Sequence, residues 1–142
     1  HRGLSGGLQT HDPTIVRESG NTWWSASTGT GIGMKYSTNG GKTWTDGLPI
    51  FSRPLSWWKK YAPNMTTNDV WAPDLEYYRG RYYCYYSVSE FGKNNSAIGL
   101  VSCSSISKGD WRDDGVVLYS RYGSSKFNAI DPNHVLDSKG NP

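Results

Sequence analysis

The stretch APDLEYYRGRYYCYYSVS, residues 72–89, sets two apolar, aromatic-rich runs on either side of Gly80. A glycine turn between two such runs reads as a β-hairpin. The same design occurs twice more. HDPTIVRESGNTWWSAS spans residues 11–27, and IDPNHVLDSKGNP spans residues 130–142. Each copy joins an aspartate and a proline, then an apolar run, then a turn containing glycine. Taking Asp12, Asp74 and Asp131 as the repeated acid, the spacings are 62 and 57 residues. A period of that order, with about four strands per unit, is that of β-propeller blades. Blade 1 is expected over about residues 11–65 and blade 2 over about 70–122. The start of a third, with its first strand, falls over about 127–142. Together they make residues 1–142 an incomplete propeller domain.

Working outward, Thr22–Ser27, Gly33–Ser37, Arg81–Ser89 and Ala97–Cys103 read as strands bounded by Gly, Asn, Ser and Asp turns. Only weak helical turns are expected, around Ser56–Tyr61. STNGGKTW, residues 37–44, fits a Ser-x-Asp-x-Gly-x-Thr-Trp hairpin turn with Asn39 in the Asp place. Asn39 would bond its own turn backbone and Trp44 would pack beneath it. The fold class is therefore all-β. Two blades and a stub cannot close a propeller, because blades bury their faces against neighbours. The chain is expected either to pair with a second polypeptide carrying the remaining blades or to be a fragment.

Aromatic residues make up 14% of the chain, with seven Trp and ten Tyr, which favours β structure and ring-stacking surfaces. Net charge is +3 and the basic residues are scattered, so the chain lacks the basic face of a nucleic-acid binder. No apolar run approaches the roughly 20 residues a membrane span needs. The start HRGLSGG shows no signal peptide but is compatible with a mature end after removal of one. Cys84 and Cys103 flank the loop near Lys93 and Asn94, about equally far from its centre. They read as two buried thiols, with a cross-strand disulfide as the alternative. Asn64-Met65-Thr66 and Asn94-Asn95-Ser96 match glycosylation sequons, a pattern common by chance.

HDPTIV, NDVWAPDLEYYRGRYYCYYSVSEFGKNNSAIGL and FNAIDPNHVLDSKG together resemble the N-terminal half of a glycoside hydrolase family 43 enzyme, most of all the arabinanase group. That group cleaves α-1,5-linked L-arabinan. The resemblance implies a five-bladed β-propeller with the active site at one end of its axis, and inverting hydrolysis. In that chemistry one carboxylate activates water while a carboxylic acid about 6.5–9.5 Å away protonates the leaving oxygen.

The resemblance implies that Asp12 is the general base, with Pro13 fixing the chain direction beside it. Asp131 matches the carboxylate that orients the acid and keeps its pKa raised. The acid itself, a Glu, matches nothing here: Glu18, Glu76 and Glu90 are the only glutamates, and none sits in the acid motif. Glu76 lies in a stretch read as outward-looking, and Glu90 in a loop that could face the cleft.

For substrate contacts, Trp71 resembles a sugar-lining residue and Phe91 a stacking platform. Asn95 and Ser96 resemble hydrogen-bonding partners of arabinose, and Asn128 is a further candidate. Asp74, read as the blade-two counterpart of Asp12, lines the site or holds a loop. Of Trp57 and Trp58, adjacent in sequence, one is expected to be packing. His11 and His134 share no ligand spacing with an acidic or Cys cluster, so no metal site is expected in this chain. The chemistry needs no cofactor. Family members often carry calcium or another ion at the propeller axis, and its ligands would lie outside this chain. The expected partner is arabinan or an arabino-oligosaccharide, and the expected location secreted or periplasmic. The alternatives are an arabinofuranosidase or β-xylosidase on the same scaffold, and a non-catalytic carbohydrate-binding propeller fragment.

Overall fold

A computed structural model describes residues 3–142. The chain runs β1 (Ser5–Gly6), β2 (Thr14–Ser19), β3 (Thr22–Ser27), β4 (Gly29–Thr30), β5 (Gly33–Ser37), β6 (Thr43–Asp46), α1 (Trp58–Tyr61), β7 (Asp69–Tyr78), β8 (Arg81–Ser89), β9 (Ser96–Cys103) and β10 (Arg112–Ser120). These form two five-stranded sheets, ordered β1-β6-β5-β3-β2 and β10-β9-β8-β7-β4. Each is a four-stranded antiparallel meander with one short added strand. β1 joins the outer edge of the first sheet in parallel with β6. β4 leaves the first meander to pair with Asp69 and Val70 of the second, strapping the two together.

Turn chemistry explains where the strands reverse. At Ser37–Trp44 the Asn39 Oδ1 accepts the Lys42 and Thr43 N–H groups, and the Ser37 Oγ accepts that of Gly41. The Trp44 indole closes under the turn by donating to the Gly41 carbonyl at 3.0 Å. Between β7 and β8, Arg79 and Gly80 both adopt positive φ (47° and 85°), the pattern of a two-residue turn whose twist matches its flanking strands.

The core lies between the sheets. Trp58 and Tyr86 are its largest buried side chains, joined by an indole N–H to phenol bond of 3.1 Å and wedged by Phe51, whose ring centroid is 5.0 Å and 5.2 Å from theirs. Burying side chains of this size contributes about 1.5–3 kcal/mol each. Trp58 is thus the packed member of its pair. Trp57 is half-buried and donates to the Asp113 carboxylate at 3.1 Å. Cys84 and Cys103 are buried free thiols. They do not face each other directly: Cys84 pairs with Val101, and Cys103 with Tyr82. Burial raises both thiol pKa values, that of Cys103 to about 12.

Two expectations change. Residues 132–137 are not a strand, because a strand needs a ladder partner and none in the described chain reaches them. The turn after them nevertheless forms. Asp137 donates its N–H to the Asn141 carbonyl, and its carboxylate accepts the N–H groups of Lys139 and Asn141.

The second change is the register of the repeat. Asp12, Ala72 and Asp131 each precede a proline, and each has a left-handed backbone with φ of 49°, 42° and 55°. The blade-two counterpart of Asp12 is therefore Ala72, not Asp74. Measured between these residues the period is 60 and then 59 positions, more even than the spacing of the acids.

Candidate active site

Asp12 lies just before β2, Ala72 lies in the first part of β7, and Asp131 opens the equivalent segment of the third repeat. Positive φ is unusual for any residue but glycine, and strain of this kind gathers at functional sites. Asp tolerates it because its short polar chain can bond locally. Ala72 has no such help, and the β7–β8 ladder shifts register between Trp71 and Asp74, where Ala72 sits.

Hydroxyl groups tie each of these corners to the next. The Ala72 N–H donates to the Thr28 hydroxyl at 2.8 Å, and that hydroxyl donates to Asp12 Oδ2 at 2.9 Å. The Thr28 N–H in turn donates to the His11 carbonyl at 2.9 Å. One blade later the Asp131 N–H donates to the Ser87 hydroxyl at 3.0 Å, and Ser87 is the ladder partner of Trp71. Asp12, Trp71 and Asp131 are thereby held in one connected corner of the molecule. The Asp12 side chain is 48% exposed, and His11 Nδ1 stands 2.8 Å from its Oδ2.

Asp74 does a different job. Two positions beyond the left-handed corner, the Thr14 hydroxyl accepts the Leu75 N–H at 3.1 Å, and Asp74 Oδ2 accepts the His134 N–H at 2.5 Å. Thr14 also donates to Asp74 Oδ1 at 3.4 Å. Asp74 is the equivalent of Thr14, and its carboxylate holds the segment that follows Asp131. The His134 ring stacks on Tyr85, with centroids 5.9 Å apart. Glu76, which the sequence placed on an outward-looking stretch, neighbours Asp74. Its pKa is raised by burial and by the Asp74 charge.

Trp71, Phe91 and Asn128 line one cavity of about 360 Å³, together with Glu90, Asn94 and Tyr122. Phe91 is 93% exposed and meets Trp71 edge-on at 6.5 Å. Asn95 and Ser96 stand behind this surface. Asn95 donates from Nδ2 to Glu90 and accepts the Tyr122 N–H on Oδ1, so both ends of its amide serve the loop. Ser96 is 0% exposed; its hydroxyl lies 2.5 Å from that of Ser89 and donates to Asn128 Oδ1 at 2.6 Å. Ser96 thus orients Asn128 and cannot itself reach a ligand in the cavity.

Glu90 is 5% exposed and accepts the Asn64 N–H at 2.8 Å. Burial pushes its pKa up, but hydrogen bonds from Asn64 and Asn95 and the Lys93 charge outweigh it and hold the carboxyl below its ordinary range. A proton donor needs the opposite shift.

Sequence reasoning missed Asn94 and Tyr122. The Asn94 amide donates to the Ser125 and Phe127 carbonyls at 2.9 Å and 3.0 Å, pinning the 125–127 loop beside the cavity. The residue pair Asn94-Asn95 was visible, but only the loop conformation tells the two amides apart. Tyr122 carried no signal beyond its being aromatic. Among the described residues no group of three or more His, Cys, Asp and Glu side chains is placed to hold a metal, and no helix is long and apolar enough to cross a membrane.

The sequence profile of the glycosyl hydrolases family 43 matches residues 7–142. The extracellular endo-alpha-(1->5)-L-arabinanase 1 of Bacillus subtilis is 48% identical over 93% of this chain and 41% of its own length. An extracellular exo-alpha-(1->5)-L-arabinofuranosidase of Cellvibrio japonicus is 37% identical over 94% of this chain and 39% of its own. Among solved structures, the endo-arabinanase of Bacillus licheniformis superposes with a TM-score of 0.92 at 50% identity, covering 100% of this chain and 48% of that one. The Cellvibrio cellulosa alpha-L-arabinanase complexed with arabinohexaose gives 0.86 at 35% identity, over 94% and 42%. The chain thus spans about two fifths of the length of the curated relatives it matches. Its two sheets are blades of a five-bladed β-propeller. On sequence and on structure alike, the chain belongs to glycosyl hydrolases family 43.

Proposed function

We propose that this chain forms the base side of the catalytic cleft of a secreted inverting glycosidase that hydrolyses α-1,5-linked L-arabinan. The observation that carries the reading is the half-exposed Asp12 carboxylate, held at a strained corner and tied through the Thr28 hydroxyl to Ala72, the neighbour in sequence of Trp71, which lines the cavity with Phe91. The names of the relatives supply the substrate class, and their extracellular location supports secretion. Asp12 takes a proton from the attacking water. A glutamic acid from the remaining blades protonates the leaving oxygen, and Asp131 sits where a like charge keeps that acid protonated. The remaining blades come from further chain or from a second polypeptide. Trp71 and Phe91 offer aromatic faces to the sugar, and Asn128 offers a preset amide. Any ion at the propeller axis takes its ligands from the remaining blades. The Cellvibrio japonicus relative makes arabinofuranosidase activity the second reading.

The test uses the complete protein with linear arabinan. Asp12→Ala should lower turnover by about 10²–10⁴-fold, the usual range for losing a general base. Calorimetric titration with arabino-oligosaccharide should show binding largely kept. Near wild-type turnover in Asp12→Ala would remove Asp12 from the chemistry. Proton NMR of the first product should show inversion at the anomeric carbon, and end-product analysis separates arabinan cleavage from release of terminal arabinose.

A further inference from the structure

We propose that Thr28 is a positioning residue that fixes which oxygen of Asp12 acts as the base; this rests on the assignment of Asp12 above. The direction of each hydrogen bond is forced. A backbone N–H can only donate, so the Ala72 N–H at 2.8 Å occupies the Thr28 hydroxyl as an acceptor. The hydroxyl proton is then left for Asp12 Oδ2 at 2.9 Å. The Thr28 backbone is itself held, its N–H donating to the His11 carbonyl at 2.9 Å. Thr28 therefore sits in one orientation, gripped from blade 1 through its backbone and from blade 2 through its side chain.

Both contacts to the carboxylate fall on the same oxygen. His11 Nδ1 lies 2.8 Å from Oδ2, and Thr28 donates to Oδ2. Among the described residues Oδ1 carries no hydrogen bond or ion pair. Lone pairs on Oδ2 are engaged, and those on Oδ1 remain to take the proton of water. Because the Ala72 N–H belongs to the second blade, docking of that blade sets the orientation of a base carried by the first.

Other charged groups lie on the segments around Thr28. His11 is on the Asp12 segment, and the Lys35–Asp46 ion pair lines the same cavity of about 300 Å³ as His11 and Thr28. On β7 lie Asp69, bonded by Thr30, and Asp74, bonded by Thr14 and His134. None of these bonds to the Thr28 hydroxyl, so its removal leaves their own partners in place.

The experiment measures kcat and KM on linear arabinan in the complete protein, for Thr28→Ala, Thr28→Cys, Thr28→Ser and Asp12→Ala. Thr28 is only partly buried, so water can take up the Ala72 N–H in Thr28→Ala; the cysteine variant keeps the volume with a weak donor. Both should lose about tenfold in kcat, the cost of one charged hydrogen bond, with KM little changed. Thr28→Ser, which keeps the hydroxyl, should restore kcat. If KM rises as much as kcat falls, if Thr28→Ser fails to restore kcat, or if kcat is wild-type while Asp12→Ala is inactive, Thr28 does not position the base. An active Asp12→Ala would instead overturn the base assignment itself.

Discussion

A buried carboxylate that accepts several hydrogen bonds is a fastening, and Glu90 behaves as one. Its oxygens take the Asn64 N–H and the Asn95 amide, joining the 62–68 loop to the 90–95 loop beside the cavity. Because its folded pKa lies below the ordinary value, its contribution to stability is present above the unfolded pKa and is lost as pH falls through the folded value. Glu90→Gln puts an amide NH₂ against one of these donors and should cost about 1–3 kcal/mol. The loss should be seen as a lower Tm at neutral pH that narrows toward wild type in acid. Equal destabilisation at every pH would mean the charge on Glu90 contributes nothing. Glu76 has the opposite sign. Burial first, and the Asp74 charge second, raise its pKa, so its ionisation opposes folding as pH rises. Glu76→Gln should therefore raise Tm at neutral pH and leave it unchanged below the carboxylate range.

At the scale of the element, the second blade depends on one close approach. Gly99 of β9 is the ladder partner of Tyr86 of β8, and the tyrosine ring lies across it. A β-carbon at position 99 would stand 2.4 Å from the ring carbon Cζ and 2.6 Å from the hydroxyl. The ring cannot yield, because it is held by Trp58 and Phe51. Gly99→Ala should cost about 1–3 kcal/mol, the range for overpacking a filled core, measured by urea denaturation. A wild-type midpoint would show that Tyr86 has room to move. Elements of this kind were largely legible in the sequence. β3, β5 and β8 fall where aromatic and apolar runs meet glycine turns, because strand propensity and turn chemistry are local. The register of the repeat was not legible through its acids. Aspartate drew attention as a chemical group, but the backbone is set by proline and the left-handed residue before it. Pro13, Pro73 and Pro132 mark the repeat, and Asp74 falls two places away in the slot that Thr14 fills. The burial of Ser96 was equally hidden, since a serine at the start of a strand reads the same whichever way its side chain turns.

For the molecule as a whole, the blade interface is visible once within the chain and is cut open at both flanks. Between the two sheets, Trp58, Tyr86, Ile32, Met34 and Leu75 are buried. On the free side of the first sheet, Leu4, Leu8 and Ile15 are exposed around a cavity of about 540 Å³ whose lining also includes Trp44. On the far side of the second, Tyr122, Phe127, Val135 and Leu136 are exposed. Each blade in an array buries its face against the next, so both flanks are built as interfaces rather than as solvated surface. The polar ties point the same way: Thr14 and Asp74 each accept an N–H from the segment that follows, and Asn133 occupies the next equivalent position, two residues beyond Asp131. The 142-residue chain studied by itself should therefore associate through these flanks. Sedimentation velocity should give a mass above 15.8 kDa that rises with concentration. Leu8→Asp combined with Ile15→Asp should lower that association by placing charge on the first flank, without touching Asp12 or Thr28. A chain that stays monomeric at all concentrations would show that the flanks close on themselves in solution. In that case the apolar exposure around Ile15 would not be the mark of an absent neighbouring blade.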